Sequence, residues 1–307
     1  EACKANGVKE IIEVKIGYDG IVFASRVDAA VFKLEPQHVF LAQAAQVPQN
    51  GKMVANPYTR WNQIDKTLPD QEILLAIPGS NHGTREVYEE KVVVPGCKTL
   101  AEVKALAKDD AGKFCTAMRT DGRVVEIAGD YTETLARLQA QKDAVGVFGL
   151  SFYEANRDRI KVATVSGVEP NLDTIISGEY PVSRPLYIYV KGAHIGVIPG
   201  LQEYALFHVS EGMSGFGSVL ESAGLIPLSD DERAEISENM AGGATVKTGQ
   251  HHGSITDKTP SLLQPVHPVF IRKSIRLLDI GARKPHWDRM HARTSASRRH
   301  QPESRIQ

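Results

Sequence analysis

The stretch Ile73-Leu74-Leu75-Ala76-Ile77-Pro78-Gly79-Ser80-Asn81-His82-Gly83-Thr84-Arg85-Glu86-Val87-Tyr88 decides how this chain is read. Ile73–Ile77 is a compact apolar run ended by Pro78-Gly79, the pattern of a buried strand. Thr84–Val94 then reads as a helix, with Val87, Tyr88 and Lys91 one turn apart. A loop feeding a helix start presents unpaired backbone N–H groups and the positive end of the helix dipole, which together favour an anion. Gly83 has no Cβ, so a ligand can approach its N–H closely. Thr84 can cap the helix or donate its hydroxyl, and Arg85 offers a planar fork to a tetrahedral oxyanion. Ser80 and His82 complete this candidate set. The competing reading of the same residues is an ordinary capped helix with a surface arginine.

Working outward, strands alternate with helices over residues 1–240. Apolar runs at Ile11–Ile16 and Ile21–Ser25 flank Gly17-Tyr18-Asp19-Gly20, and further short strands are expected at Val124–Ile127, Val145–Phe148 and Leu186–Val190. Helices are expected at Leu34–Ala45, Leu100–Ala107, Tyr131–Gln141 and Leu201–Val209. This order argues for α/β layers and a largely parallel sheet. From about Gly242 the pattern fails, and Val269–Leu278 is the one apolar cluster beyond it. That end reads as a disordered tail, either a sequence that never evolved to pack or a basic arm.

At 307 residues the chain has room for roughly two domains. With 42% hydrophobic and 24% charged residues it can bury a sizeable core. No apolar run approaches the ~20 residues that span a bilayer. The formal charge of −1 hides an asymmetry: residues 247–307 carry 12 Lys and Arg against 4 Asp and Glu, so the body is acidic. Three cysteines are too few for a disulfide scaffold. Cys97 and Cys115 lie 18 residues apart and can pair in an oxidising compartment, which leaves Cys3 odd.

The remaining motifs narrow the chemistry. No Gly-Lys-Ser/Thr triplet and no Gly-x-Gly-x-x-Gly is present, so a nucleotide phosphate site is not expected. Asp130 is a good N-cap, with Glu133 three positions on completing a capping box; Asp130 and Tyr131 are weaker candidates for a cleft. No Cys-x-x-Cys occurs, so neither a metal nor a cofactor is expected. Ser80 beside His82 invites a hydrolase acting on phosphorylated or acyl substrates, yet Gly-x-Ser-x-Gly and an orienting third group are absent. Tyr187 and Tyr189 alternate with Leu186 and Ile188 as in a strand with two packed faces, not a nucleic-acid stacking platform.

Several segments, taken in order, resemble the phosphate-binding periplasmic component of bacterial phosphate ABC transporters. They are Val14–Val22, Asn56-Pro57-Tyr58 with Trp61, His82-Gly83-Thr84-Arg85, Gly146–Gly149, Gly167-Val168-Glu169-Pro170 and Tyr180–Lys191. The resemblance covers about residues 1–240. It implies an α/β fold of two lobes, the type II periplasmic-binding-protein arrangement, with hinge crossings at Tyr18–Ser25 and Ser183–Lys191. On this reading residues 1–21 and 183–241 form an incomplete first lobe, 22–182 the second lobe and 242–307 the tail. The family's Ser-Gly-Thr phosphate triplet here reads His82-Gly83-Thr84, so one hydroxyl donor is exchanged for an imidazole. The resemblance further implies a monomeric, non-enzymatic periplasmic protein that captures inorganic phosphate and delivers it to a membrane permease. It binds no nucleic acid. Family segments expected ahead of Glu1 are absent, so the chain reads as N-terminally truncated and weak in binding.

Overall fold

The computed structural model describes residues 2–241; the segment 242–307, read above as a tail, lies outside them. Of the described residues, 2–9 belong to one compact unit and 10–241 to another. In the first, a single turn of helix spans Ala2–Ala5, and Cys3 is a free thiol.

The second unit is organised by one long strand, β1 (Ile11–Arg26). The sequence suggests two runs broken by Gly17-Tyr18-Asp19-Gly20. The structure instead carries the strand straight through these four residues, with a bulge between Lys15 and Gly17. The reason is tertiary: turn-forming residues are held extended because each is paired across the ladder. Strands β2 (Leu74–Pro78), β3 (Val124–Ile127), β4 (Ala144–Gly149), β5 (Ile160–Val162) and β6 (Ser183–Lys191) complete a sheet of order β6-β1-β4-β2-β3, with β5 also on β1. β2 runs parallel to β3 and β4, whereas β1 is antiparallel to β4, β5 and β6. The sheet is therefore mixed, a correction to the expected largely parallel one. A single reversed strand in the middle changes the sense of three pairings.

Two halves of β1 have different partners. Ile11–Gly20 pairs with β6, in register Asp19 to Arg184, and Ile21–Ser25 pairs with β4. Side chains on directly opposed residues share a face. Phe23 and Val147 lie on one face, where Phe23 meets Tyr88 at 6.0 Å between ring centres. Val22 and Phe148 lie on the other, where Phe148 meets Tyr131 at 5.9 Å. Helices thus cover both faces. Around Phe23 sit α1 (Pro36–Gln43) and a continuous helical run: α2 (Gly83–Tyr88), a π turn (Glu89–Val93) and α3 (Val94–Lys98). Pro95 lacks the N–H that an α turn needs, and the wider π turn lies directly before it.

The expected helix Leu100–Ala107 is one turn only, Ala101–Lys104. It is followed by α4 (Lys108–Thr116), which the sequence reading left out. Cys97 at the end of α3 and Cys115 in α4 are joined by a disulfide. By loop entropy this cross-link is worth about 3 kcal/mol. On the other face, α5 (Tyr131–Ala140) buries Thr134, Leu135 and Leu138 against β4, and α6 (Leu150–Glu154) and α7 (Leu172–Ile176) follow.

Beyond β6 come α8 (Leu201–His208) and α9 (Asp230–Ala241). The start of α9 is fastened to β1. Glu232 accepts hydrogen bonds from Lys15 (2.8 Å) and from the Tyr18 hydroxyl, and Lys15 also donates to Tyr18 (3.1 Å). Burial favours the uncharged lysine, yet these bonds hold the Lys15 pKa above its ordinary value. Tyr18 further exchanges two backbone hydrogen bonds with Ile226, at 2.9 and 2.8 Å.

Candidate functional site

The site grows from the C-terminal ends of β2 and β3. Gly79 donates its N–H to Ile127 O at 2.8 Å, which fixes the loop after β2 to the strand beside it. His82 N–H then returns to Gly79 O at 3.0 Å, and the chain enters α2 with His82 as its N-cap residue. At Gly83 the position a Cβ would take has nothing within 4 Å, so its backbone is open to an incoming group. α2, the π turn and α3 form one helix of about four turns by geometry. Its dipole and first N–H groups are available at this open end.

Thr84 and Tyr131 meet across this opening, with Oγ1 and Oη 2.6 Å apart. Each begins a helix, one on either side of the sheet. Tyr131 is held by ring contacts with Phe148 and Phe152, the latter at 5.4 Å. Either hydroxyl of the pair can donate to the other. Burial raises the Tyr131 pKa, so the phenol stays protonated. A cavity of about 140 Å3 opens here, lined by Pro78, His82, Ile127, Gly129, Asp130, Tyr131 and Thr134.

The other expected site residues divide. His82 lies beside the opening, but its Nε2 donates to Ala128 O at 3.2 Å, since a carbonyl only accepts. Ser80 is exposed at the tip of the loop.

Arg85 departs from its expected role. It is only 8% exposed, and its guanidinium donates to Glu89 (2.7 Å), Glu126 (2.9 Å) and Pro78 O (3.0 Å). Its charge is spent bracing the helix to the ends of β2 and β3, not on an anion. Asp130 is likewise committed, accepting from Thr132 N at 2.9 Å and from the Thr132 hydroxyl. These bonds hold its carboxyl below the usual range. It is a cap, and its negative charge opposes an anion. The Asp130 side chain accepts from Thr132 N, at N2, and no capping box with Glu133 forms.

Sequence reasoning missed a pair that the ladder brings forward. Asp19 on β1 and Arg184 on β6 face each other in register. Burial raises the Asp19 pKa and the Arg184 charge counters it; the Asp19 charge in turn acts on Tyr131. Arg184 Nη1 also lies 3.9 Å from Glu86 Oε2 in α2. A cation thus stands beside the helix opening, supplied by β6 rather than by α2. Its signal in the sequence was the Ser183-Arg184-Pro185 run entering an aromatic strand. Among the described residues no group of three or more His, Cys, Asp or Glu side chains is placed to hold a metal ion. The Ser80–His82 hydrolase alternative is not supported, because the imidazole is turned to Ala128.

A family model described as the PBP superfamily domain matches residues 1–211. The chain belongs to this superfamily. Relatives of this PBP-superfamily chain include the phosphate-binding protein PstS of Staphylococcus haemolyticus, 26% identical over 70% of this chain and 57% of that protein. Protein SphX of Synechocystis is 29% identical over 66% of this chain and 53% of its own length. The PBP-superfamily chain therefore spans just over half the length of these curated relatives. A crystal structure of a possible phosphate binding protein from Planctomyces limnophilus superposes with a TM-score of 0.59 at 21% identity, covering 78% of this chain and 75% of that one. The fold is thus the two-lobe α/β arrangement of periplasmic binding proteins. Among the described residues no helix is long and apolar enough to cross a membrane.

Proposed function

We propose that this chain is the solute-binding component of a phosphate ABC transporter, capturing inorganic phosphate at the opening of α2 and delivering it to a membrane permease. The observation that carries this is the Thr84–Tyr131 hydroxyl pair at the open end of a long helix run. It offers what an oxyanion needs: backbone N–H groups at Gly83 and Thr84, a hydroxyl donor and the Arg184 cation nearby. His82 and Asp130 border the site, while Arg85 braces α2 from behind. Phosphate is the ligand of choice because the PstS relative is a phosphate-binding protein. Residues 22–182 would form one lobe, and 1–21 with 183–241 the other. Binding and release proceed by rotation of the lobes about the crossing strands, without covalent chemistry.

The Cys97–Cys115 disulfide fits an oxidising, extracytoplasmic location. The protein acts as a monomer; light scattering tests this, and Tyr204, Phe207, Phe216 and Val219 are the exposed apolar residues through which copies would associate. Backbone amide NMR tests the site directly. Phosphate should shift the Gly83 and Thr84 amides far more than equal sulfate does. Amides that stay in place at saturating phosphate, in a folded protein, would overturn the assignment.

A further inference from the structure

The helical run that opens at Gly83 is irregular, and the irregularity lies between two fastened ends. Val94 donates its N–H to Glu89 O, five residues back, where an α ladder would reach Glu90. The π turn Glu89–Val93 therefore holds one residue more than an α turn. The next residue along the ladder is Pro95, which has no N–H to give to Lys91 O.

Both sides of the π turn rest on α1. Ahead of it, the buried Tyr88 hydroxyl donates to Gln43, the last residue of α1. Behind it, Gly96 packs on Pro36, the first residue of α1, so closely that a Cβ would stand 2.1 Å from Pro36 O. Eight residue steps from Tyr88 to Gly96 thus lie along seven from Gln43 to Pro36. A straight α helix would carry one residue too many, worth about 1.5 Å along the axis and about 100° in facing. The wider turn takes up that residue. The rear of the run is also fixed by the Cys97–Cys115 disulfide, and the front by Arg85 on Glu126 and Pro78 O. An added rotation of about 100° at the front would carry Thr84 Oγ1 away from Tyr131 Oη, now 2.6 Å from it.

We propose that Pro95 is a positioning residue for the anion site: it keeps the surplus residue in the π turn, so that Gly83 and Thr84 present their N–H groups beside Tyr131. Pro95 touches no ligand itself. Alanine in its place supplies the N–H that Lys91 O lacks, the ladder closes as α, and the surplus residue is passed to the front of the run. The link to affinity rests on the phosphate reading above; the link between Pro95 and the helix opening does not.

The test uses the full chain with Pro95→Ala, alone and together with deletion of Glu90, which is exposed in the π turn. Deletion removes the surplus residue, so a regular helix then fits both ends. Each variant is titrated calorimetrically with phosphate, and the Gly83 and Thr84 amides are followed by NMR without phosphate. P95A should weaken phosphate about tenfold and shift both amides. The added deletion should return affinity and amides to those of the parent. Parent-like affinity in folded P95A would overturn the proposal. So would a loss that the deletion does not restore, because Pro95 would then only stabilise the helix. Amides that shift in P95A and return on deletion, with no phosphate binding even in the parent, would uphold the positioning role and overturn the phosphate reading. Should P95A alone not fold, the double variant carries the test. It is expected to fold with the parent's amides and affinity, and its failure to do so counts against the proposal.

Discussion

Tyr131 Oη and Thr84 Oγ1, 47 residues apart in the chain, stand 2.6 Å from each other and tie together the first turns of two helices on opposite faces of the sheet. The bond sets two hydroxyls beside the backbone N–H groups that open α2.

Tyr131→Phe keeps the ring contacts with Phe148 and Phe152 and removes only the hydroxyl. Phosphate affinity should fall about five- to tenfold, in line with one hydrogen bond of about 1 kcal/mol. Thr84→Val removes the hydroxyl at the start of α2 itself and should cost more. Calorimetric titration beside a thermal melt checks both, and melts should move little.

Arg85 and Arg184 should differ in their effect on binding. Arg85→Met leaves Glu89 and Glu126 facing each other without a cation, and should destabilise the fold by about 2 kcal/mol with little change in phosphate affinity. Arg184→Met leaves Asp19 without its counter-charge, so it should lower the melt as well, and it should also weaken phosphate more than tenfold. Equal effects of the two changes on affinity would contradict the assignment of the cation to β6.

Glu232 sets a pH dependence of definite sign. Burial alone raises its pKa, but hydrogen bonds from Lys15 and Tyr18 outweigh burial and hold it below the ordinary carboxylate value. A carboxyl depressed on folding contributes stability above its unfolded pKa of about 4.3 and loses it as pH falls through the folded value. The melting gap between the parent and Glu232→Gln should be full at neutral pH and close on acidification. Melts across this range check it.

Gly20→Ala introduces a methyl into the contact between Ile175 and Ile226. Ile175 is 1% exposed and has little room to yield, so a loss of about 1–3 kcal/mol is expected by urea unfolding.

Reduction of Cys97–Cys115 should lower stability by about 3 kcal/mol, read as a drop in the unfolding midpoint with dithiothreitol present. Sheet signals in circular dichroism should persist, since neither cysteine lies in a strand.

The legible parts of this chain were those whose signal is local. Ile73–Ile77 could only be buried, and Asp130 could be read as a cap from its own residue type. Long-range effects were not legible. Nothing near Arg85 says that Glu126, 41 residues on, will take its charge. Gly17–Gly20 reads as a turn because its pairing partners lie beyond residue 180. α4 escaped notice because Cys115 is the only side chain it fully buries, and its place is fixed by a disulfide and by Phe114 against Phe40 at 6.0 Å. The Asp19–Arg184 pair exists only once two distant strands share a register.

The continuity of β1 has a consequence for biosynthesis. This strand leaves the ribosome more than a hundred residues before β4 and β6, the strands it pairs with. Until then its apolar residues have no ladder to join, and the central pairings all carry the high contact order of slow folders. A nascent chain of this kind can complete its central sheet only after β6 has been made.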